Sequence, residues 1–202
     1  MASVVVDDWV QRQVIQSELM DEESIEWVGQ PDPSIIFTKA DIFLIPFSIL
    51  WCGFAIFWEA SALGITFKGG GAPLLFALFG VPFVLIGLYM VFGRFFYKAW
   101  KKRKTYYAVT NKRIIVITLG IGKNIQAVFI RDIPMINQSI GANGMGSLIF
   151  GNTNWQFAMY GNTGMGYFGQ YANNAAAIAF YDIRDAKTVY DLVNRIRNRQ
   201  SQ

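Results

Sequence analysis

Two long apolar runs constrain this chain more than any other feature. Residues 42–63 carry one charge, Glu59, near the far end of the run, and residues 74–93 carry none. A helix needs about 20 mainly apolar residues to cross a hydrocarbon core of about 30 Å, and each run has that length. The sequence therefore predicts two transmembrane helices, at about 42–63 and 74–95.

The connection between the runs, residues 64–73, contains three consecutive glycines and a proline, which end a helix and leave no room for a folded domain. We therefore expect a hairpin spanning residues 42–97. Positive charge close to membrane ends stays in the cytoplasm. The connection has only Lys68, whereas a basic group follows the second run: Arg94, Lys98, Lys101, Lys102, Arg103 and Lys104. This asymmetry predicts a multi-pass protein of the cytoplasmic (inner) membrane with both termini in the cytoplasm.

The length of 202 residues allows this hairpin plus one domain of about 100 residues. We place an acidic N-terminal arm at 1–41 and a cytoplasmic domain at 98–202. The apolar fraction of 53% does not suit a multi-spanning transporter. The first run follows an acidic arm and lacks the short basic region that opens a cleavable signal peptide.

The residue types argue against most catalytic and metal chemistry. The chain has no histidine, which removes the commonest general base and metal ligand. Its one cysteine, Cys52, lies inside the first apolar run and has no cysteine partner for a disulfide or a metal. The glycines of residues 141–146 are not followed by a phosphate-binding helix, so they are expected to form a turn. We predict no enzymatic activity, no cofactor and no bound metal.

Three residues interrupt the apolar runs. Glu59 has two interpretations: an ionisable group in a membrane often marks a proton or ion path, but a glutamate near the end of its run can also reach the interface by snorkelling. Pro46 and Pro82 are expected to kink their helices, which membrane helices tolerate.

The N-terminal arm contains a short amphipathic helix at about 7–20 and an alternating strand at 24–28, which a turn at 30–33 ends. A group of carboxylates surrounds the strand start: Asp21, Glu22, Glu23 and Glu26. Carboxylates in an exposed turn are usually solvated, so this group is predicted to be solvated and not to bind a metal.

A basic stretch with interleaved aromatics, residues 97–104, follows the second run. Its cations are candidate topology anchors at the headgroup level, or candidate contacts to anionic lipid. These candidates are Lys98, Lys101, Lys102, Arg103 and Lys104. A patch this small offers no element that reads a base sequence, so no nucleic-acid partner is expected.

Short β-branched and aromatic runs from residue 105 onward predict an antiparallel meander. A hairpin turn falls at Asn111 and Lys112, and further strands are expected near 125–130, 134–140, 147–152, 155–159 and 175–181. Residues 182–200 form one amphipathic helix, because apolar residues recur at spacings of three and four. That apolar stripe is Ile183, Ala186, Val189, Tyr190, Val193 and Ile196.

Several short motifs occur in a distinctive order around the hairpin. They are Tyr107, Val109, Thr110, Arg113, Ile114, Ile115 and Val116; then Gly144, Gly146, Ser147, Leu148, Ile149 and Phe150; and, before the hairpin, residues 23–31. This pattern resembles bacterial pleckstrin-homology-like (PH-like) domains of the membrane-flanked type. The resemblance implies an α+β cytoplasmic domain, with a seven-stranded bent sheet or partial barrel capped by a C-terminal helix, that binds partners. The family has no agreed catalytic residues to transfer.

The chain departs from that pattern in an enlarged Gly-, Asn- and Tyr-rich insertion at about 152–177. Its candidate partner contacts are Trp155, Phe157, Tyr160, Tyr167, Phe168 and Tyr171, since exposed aromatics are enriched at protein interfaces. These rings can alternatively fold back on the domain. The sequence favours a membrane-anchored accessory or scaffold subunit that binds a protein partner. The alternatives are an anionic-lipid-sensing module and a small subunit of a transporter or membrane enzyme.

Overall fold

The fold consists of an apolar helix pair and two antiparallel sheets. We analysed a computed structural model, which describes residues 2–67, 78–120, 122–141, 144–152, 161–165 and 177–200. The helical segments in chain order are α1 (Ala2–Gln16), α2 (Asp41–Phe67), α3 (Val81–Leu88), a π-helical turn (Tyr89–Gly93), α4 (Arg94–Arg103) and α5 (Ala186–Gln200). The strands are β1 (Ile25–Gly29), β2 (Thr105–Thr110), β3 (Arg113–Leu119), β4 (Lys123–Phe129), β5 (Ile136–Ile140), β6 (Gly146–Phe150) and β7 (Ile178–Ile183).

The described strands form two sheets. The first has the order β1-β2-β3-β4 and the second the order β5-β6-β7, and all neighbours are antiparallel. The predicted turn at Asn111 and Lys112 is confirmed between β2 and β3. A 3-10 turn at Ile130–Asp132 separates the two sheets, between the strands expected near 125–130 and 134–140. The strand expected at 155–159 lies outside the described residues.

The main core lies between the two sheets and α5. Alternate residues of β2 and β3 point into it, and its centre is Phe180, whose ring lies 4.5 Å from that of Tyr107 and 5.1 Å from that of Phe150. Four of the six residues of the predicted apolar stripe, Ala186, Val189, Val193 and Ile196, are buried on α5, whereas Ile183 is buried in β7 and Tyr190 is half-buried. The helix begins at Ala186, four residues later than predicted, since β7 continues to Ile183.

The N-terminal arm belongs to the sheet domain. Strand β1 pairs with β2, and Ile15 of α1 covers Ala108, Ile115 and Ile117 on the face opposite the main core. Part of the predicted arm at 1–41 therefore packs on the domain that was predicted at 98–202. The helix pair is an insertion between two neighbouring strands of one sheet.

Two helices, Asp41–Ile65 and Val81–Arg103, are long and apolar enough to cross a membrane, judged by length and composition only. They pack closely through small residues, which allow helix backbones to approach. A Cβ placed on Gly87 would lie 2.9 Å from the Cα of Cys52. Cys52 is therefore a packing residue.

Pro82 lies in the first turn of α3, where its missing N–H is not needed, so it begins a helix and does not kink one.

Glu59 does not reach the surface of the helix pair. Its side chain lies between α2 and the start of α3, where a Cβ on Gly80 would overlap its Oε2. Only 8% of Glu59 is exposed. The snorkelling interpretation is therefore wrong for this carboxylate.

Candidate functional site

The candidate site is the junction at which the helix pair meets the two sheets. Arg94, Lys98 and Lys102 follow each other at intervals of four, which places them on one face of α4. Their exposed fractions are 0%, 4% and 5%. Three cations on one helix face are thus enclosed by protein, and each has partners from other elements.

Arg94 joins the two helices of the pair. Its Nη1 lies 2.5 Å from Oδ1 of Asp41, and its Nε donates a hydrogen bond of 2.8 Å to the carbonyl of Met90. The second oxygen of Asp41 accepts from the backbone N–H and the hydroxyl of Thr38, at 2.5 and 2.8 Å. Asp41 therefore holds the turn that precedes α2 and pairs with α4 at the same time.

Lys98 and Lys102 hold the segment that leads from β1 into α2. The ammonium of Lys98 donates to the carbonyl of Ile36 at 2.9 Å. The ammonium of Lys102 donates to the carbonyls of Asp32 and Ile35, at 2.9 and 2.6 Å, and to Oδ2 of Asp182 at 2.6 Å. All three donors of the Lys102 ammonium are therefore used.

Asp182 joins four parts of the chain at this point. Its Oδ2 also accepts from the amide of Asn162 at 2.7 Å. Its backbone N–H donates to the hydroxyl of Ser147, and its carbonyl accepts from the N–H of Asp32. Asp182 has a positive φ of 50°, a conformation that aspartate adopts more readily than most residues.

The segment 161–165 packs on the π-helical turn. The hydroxyl of Tyr89 donates to the carbonyl of Gly164 at 2.7 Å, and Met165 packs with Leu44 and Met90. Gly164 has a φ of +81°, and a Cβ there would lie 2.4 Å from the carbonyl oxygen of Arg94. Only glycine satisfies both conditions.

Three titratable groups beside the junction, Asp32, Tyr107 and Tyr181, keep fixed charge states at neutral pH. Hydrogen bonds from the hydroxyl and N–H of Ser34 lower the pKa of Asp32, which therefore stays ionised. Burial raises the pKa of Tyr107 and of Tyr181, so both phenols stay neutral.

A second buried ion pair attaches the N-terminal arm to the first sheet. Glu23 accepts from Nε of Arg113 at 2.9 Å, from the hydroxyl of Thr110 at 2.7 Å and from the N–H of Met20 at 2.8 Å. Desolvation by itself raises the pKa of Glu23, but these hydrogen bonds outweigh it and the net shift is downward. The prediction of a solvated carboxylate group is therefore wrong for Glu23, which is 9% exposed.

The predicted headgroup contacts divide into two sets. Lys98 and Lys102 are buried in the junction, so they cannot present their charge to a lipid surface. Lys101 is half-buried, and Arg103 and Lys104 are exposed. The predicted partner contacts, Trp155, Phe157, Tyr160, Tyr167, Phe168 and Tyr171, lie outside the described residues. In the part of the chain that the structure describes, no group of three or more His, Cys, Asp or Glu residues is placed to hold a metal ion.

Sequence reasoning missed Asp41, Asp182 and Asn162 at the junction. The spacing of Arg94, Lys98 and Lys102 was an available signal, because intervals of four indicate a shared helix face. No local pattern points to Asp182, since it lies 80 residues from Lys102.

These features define a class of protein: an apolar helix pair inserted into an antiparallel sheet domain and joined to it by buried charges. Comparison with protein-family models, with curated proteins and with solved structures finds no match to this chain.

Proposed function

We propose that this protein is a non-catalytic, membrane-anchored scaffold or accessory subunit. In this proposal the helix pair crosses the cytoplasmic membrane, and the sheet domain, which resembles PH-like domains, holds a protein partner at the membrane surface. The observation that carries the proposal is the junction: buried cations of α4 connect an exposed apolar helix pair to a folded domain.

The surface of the helix pair supports the membrane anchor. Large apolar side chains project from it, among them Ile42, Phe43, Leu50 and Phe57, each more than 70% exposed. Only 28% and 22% of the most apolar stretches of the two helices are buried. A core helix of a soluble protein would bury most of such a surface, whereas lipid solvates it.

The charge distribution supports an orientation. The basic residues of α4 and the start of α2 lie at the same end of the helix pair, since Arg94 pairs with Asp41. Cations near a membrane end favour the cytoplasmic side. Both termini would then be cytoplasmic, together with both sheets.

The junction supports a scaffold more than a loosely tethered domain. Lys102 binds the carbonyl of Asp32, which precedes α2 in the chain, and the carboxylate of Asp182, which lies on the second sheet. Buried charge pairs of this kind resist separation, because each charge left without its partner is costly. The domain would therefore present a partner at a fixed angle to the membrane.

The domain also has exposed apolar side chains that a partner can cover. These are Ile125 and Phe129 on β4, Met135, and Ile140 on β5, with exposed fractions from 36% to 44%. Together with the aromatic residues of the insertion, they would supply a contact surface of the composition found at protein interfaces.

Membrane fractionation and cysteine labelling test the anchor. Replacing the only cysteine (Cys52→Ala) provides a background for single cysteines at the exposed positions Ser17 and Asn198. We expect the chain to resist extraction by alkaline carbonate, and an impermeant maleimide to label both cysteines only after cells are lysed. Extraction of the chain, or labelling of intact cells, would refute the anchor or its orientation.

Native electrophoresis after mild detergent extraction tests the scaffold. We expect the chain to migrate with a defined larger complex, and the triple variant Tyr167→Ser, Phe168→Ser, Tyr171→Ser to leave that complex. The matched control, Tyr106→Ser, changes a tyrosine outside the insertion. A solitary monodisperse protein, or a triple variant that stays in the complex, would contradict the proposal.

A second candidate function, binding of anionic lipid, is favoured by one observation. Arg103 and Lys104 are exposed at the end of α4, on the same helix as the exposed rings of Phe96 and Trp100. Rings and cations together suit the headgroup region. In nanodiscs, an anionic lipid should co-purify with the full chain, and the pair Arg103→Gln, Lys104→Gln should lose it. Equal lipid retention by the variant would exclude this role.

A further inference from the structure

The turn between β3 and β4 lies against the end of α4. A Cβ placed on Gly120 would lie 3.5 Å from the ring of Trp100, at the distance of an ordinary van der Waals contact. The backbone N–H of Leu119 donates a hydrogen bond of 2.8 Å to the carbonyl of Lys104, the residue that links α4 to β2. We call this region the turn surface; it comprises Leu119, Gly120, Gly122 and Lys123, of which the last three are exposed.

The turn surface meets the face of α4 opposite the buried cations of the junction. Phe96, Trp100 and Lys104 follow each other at intervals of four, as the buried cations do, but two residues out of step with them. Because each residue turns a helix by about 100°, the two sets lie on opposite sides of α4. Phe96 and Trp100 are 76% and 42% exposed, so this face is still open beside the turn.

The position of Trp100 sets the depth of the turn surface in a membrane. Arg94 pairs with Asp41 at the start of α2, and Trp100 lies about 9 Å further along the axis of α4, at 1.5 Å per residue. Side chains of a helix lean toward its N-terminus, so the ring lies closer to the hydrocarbon core than its own Cα. The headgroup region is about 5–8 Å thick on each side of that core. If the helix pair spans the bilayer, the ring and the turn surface therefore lie at the headgroup level.

The first sheet joins the helix pair by one end only. The chain leaves β1 toward α2 and returns from α4 into β2, and since β1 and β2 are antiparallel neighbours, both connections lie at the same end. Leu119 pairs with Lys123 at this end of β3 and β4. The other end of β3, at Arg113, is roughly 20 Å away along the strand. The turn at Asn111 and Lys112 therefore marks the end of the sheet far from the helix pair.

The charge beside the turn surface suits anionic lipid. Arg103 and Lys104 are exposed at the end of α4. Lys123 pairs with Glu18, and 40% of the lysine side chain stays exposed in that pair. These four side chains together carry a net positive charge, whereas the cytoplasmic leaflet of a membrane is negatively charged.

We propose that the turn surface rests on the cytoplasmic leaflet of the bilayer and binds the headgroups of anionic phospholipids. This inference rests on the proposed membrane anchor. It goes beyond lipid contacts of Arg103 and Lys104, because it places the sheet domain itself on the lipid. The ring of Trp100 supports the turn from the side of α4, and Lys123 supplies charge from the side of the sheet. The far end of the first sheet then points into the cytoplasm.

Fluorescence quenching by a lipid tests the contact. In the Cys52→Ala background, the full chain carries a fluorophore either at Gly122→Cys, where a Cβ has open space, or at Ser24→Cys. Ser24 is exposed and lies at the far end of the sheet, where its carbonyl accepts from the N–H of Asn111. Both chains are reconstituted in vesicles of equal parts phosphatidylcholine and phosphatidylglycerol that contain a lipid spin-labelled on its headgroup. We expect quenching at least about threefold stronger at position 122, because the headgroup region is only about 5–8 Å thick.

Two lysine variants test the role of charge. Lys123→Gln should lower the ratio of membrane-bound to released domains about fivefold, which is the effect of one lysine at an anionic surface. Lys112→Gln removes the same charge at the far end of the sheet, so this matched control should leave quenching at position 122 unchanged. Asn124→Cys, at the exposed position after Lys123, gives a second labelling site should Gly122→Cys fail to fold.

Equal quenching at positions 24 and 122, or none at position 122, would overturn the contact and leave the anchor standing. Equal effects of Lys123→Gln and Lys112→Gln, or undiminished quenching in phosphatidylcholine alone, would overturn the binding of anionic headgroups. A chain that fails to float with the vesicles would refute the anchor, and the contact with it.

Discussion

Removing the ammonium of Lys102 while keeping most of its aliphatic length should destabilise the protein strongly. In Lys102→Met, the carboxylate of Asp182 keeps, among the side chains that the structure describes, only the amide of Asn162, and the carbonyls of Asp32 and Ile35 lose the Lys102 ammonium as donor. Breaking a buried ion pair by removing one partner costs about 3–5 kcal/mol. For a protein of this size, 1 kcal/mol corresponds to roughly 2–4 °C in Tm, so we expect Tm to fall by about 6–20 °C.

Thermal unfolding of the purified full chain in a mild detergent measures this loss. Arg103→Met is the matched control, because Arg103 is the next residue along α4 and is exposed; its Tm should change little. In the double variant Lys102→Met, Asp182→Asn, no charge is left unpaired, so its loss should be smaller than the sum of the single losses by about 1–3 kcal/mol. Equal losses in Lys102→Met and Arg103→Met, or additive losses in the double variant, would refute the buried-pair argument.

Three further changes test other contacts by the same melting assay. The pKa of Glu23 in the folded protein lies below its ordinary value of 4.5, so its contribution to stability is complete above pH 4.5 and is lost as pH falls through the folded pKa. Glu23→Gln should therefore reduce the fall of Tm at acid pH. An unchanged dependence of Tm on pH would disprove the contribution of Glu23. Gly164→Ala should lower Tm more than Gly144→Ala: both glycines have positive φ, but a Cβ clashes only at Gly164. Gly87→Ala should force the helix pair apart, whereas Gly53→Ala, with open space around it, should be neutral or stabilising.

Local patterns in the sequence predict most of the elements. The turn at Asn111 and Lys112 is confirmed, and four of the six predicted stripe residues are buried on α5, because turn chemistry and helical spacing act within a few residues. The two apolar helices also follow from composition. The start of α5 was misplaced, since Asp182 looks like a helix-start residue but is held in β7 by contacts to other elements.

The candidate site was less predictable, because its contacts join distant parts of the chain. From the neighbouring sequence, Lys98 and Lys102 are predicted to be headgroup anchors. Only the fold shows that the carbonyls of Asp32, Ile35 and Ile36 surround them. A charge rule counts cations near a membrane end but does not say which face of the helix they occupy.

The contacts of the N-terminal arm were also not predictable from local sequence. Glu23 reads as one of several solvated acids, and its partner Arg113 lies 90 residues further along the chain. Pairing of β1 with β2 cannot be inferred from either strand alone, because register depends on what each face packs against.

The insertion of the helix pair between β1 and β2 imposes an order on biosynthesis. Ile25 pairs with Thr110, so the edge strand is synthesised roughly 85 residues before its neighbour, which at about 5–20 residues per second means a delay on the order of ten seconds. During that interval both apolar helices emerge from the ribosome while α1 and β1 have no sheet to join. Strand β1 therefore stays without its partner strand during that interval, and the first sheet forms only after the two helices have been made. Chaperones that bind exposed strands would bind β1 during this interval, before β2 has been synthesised.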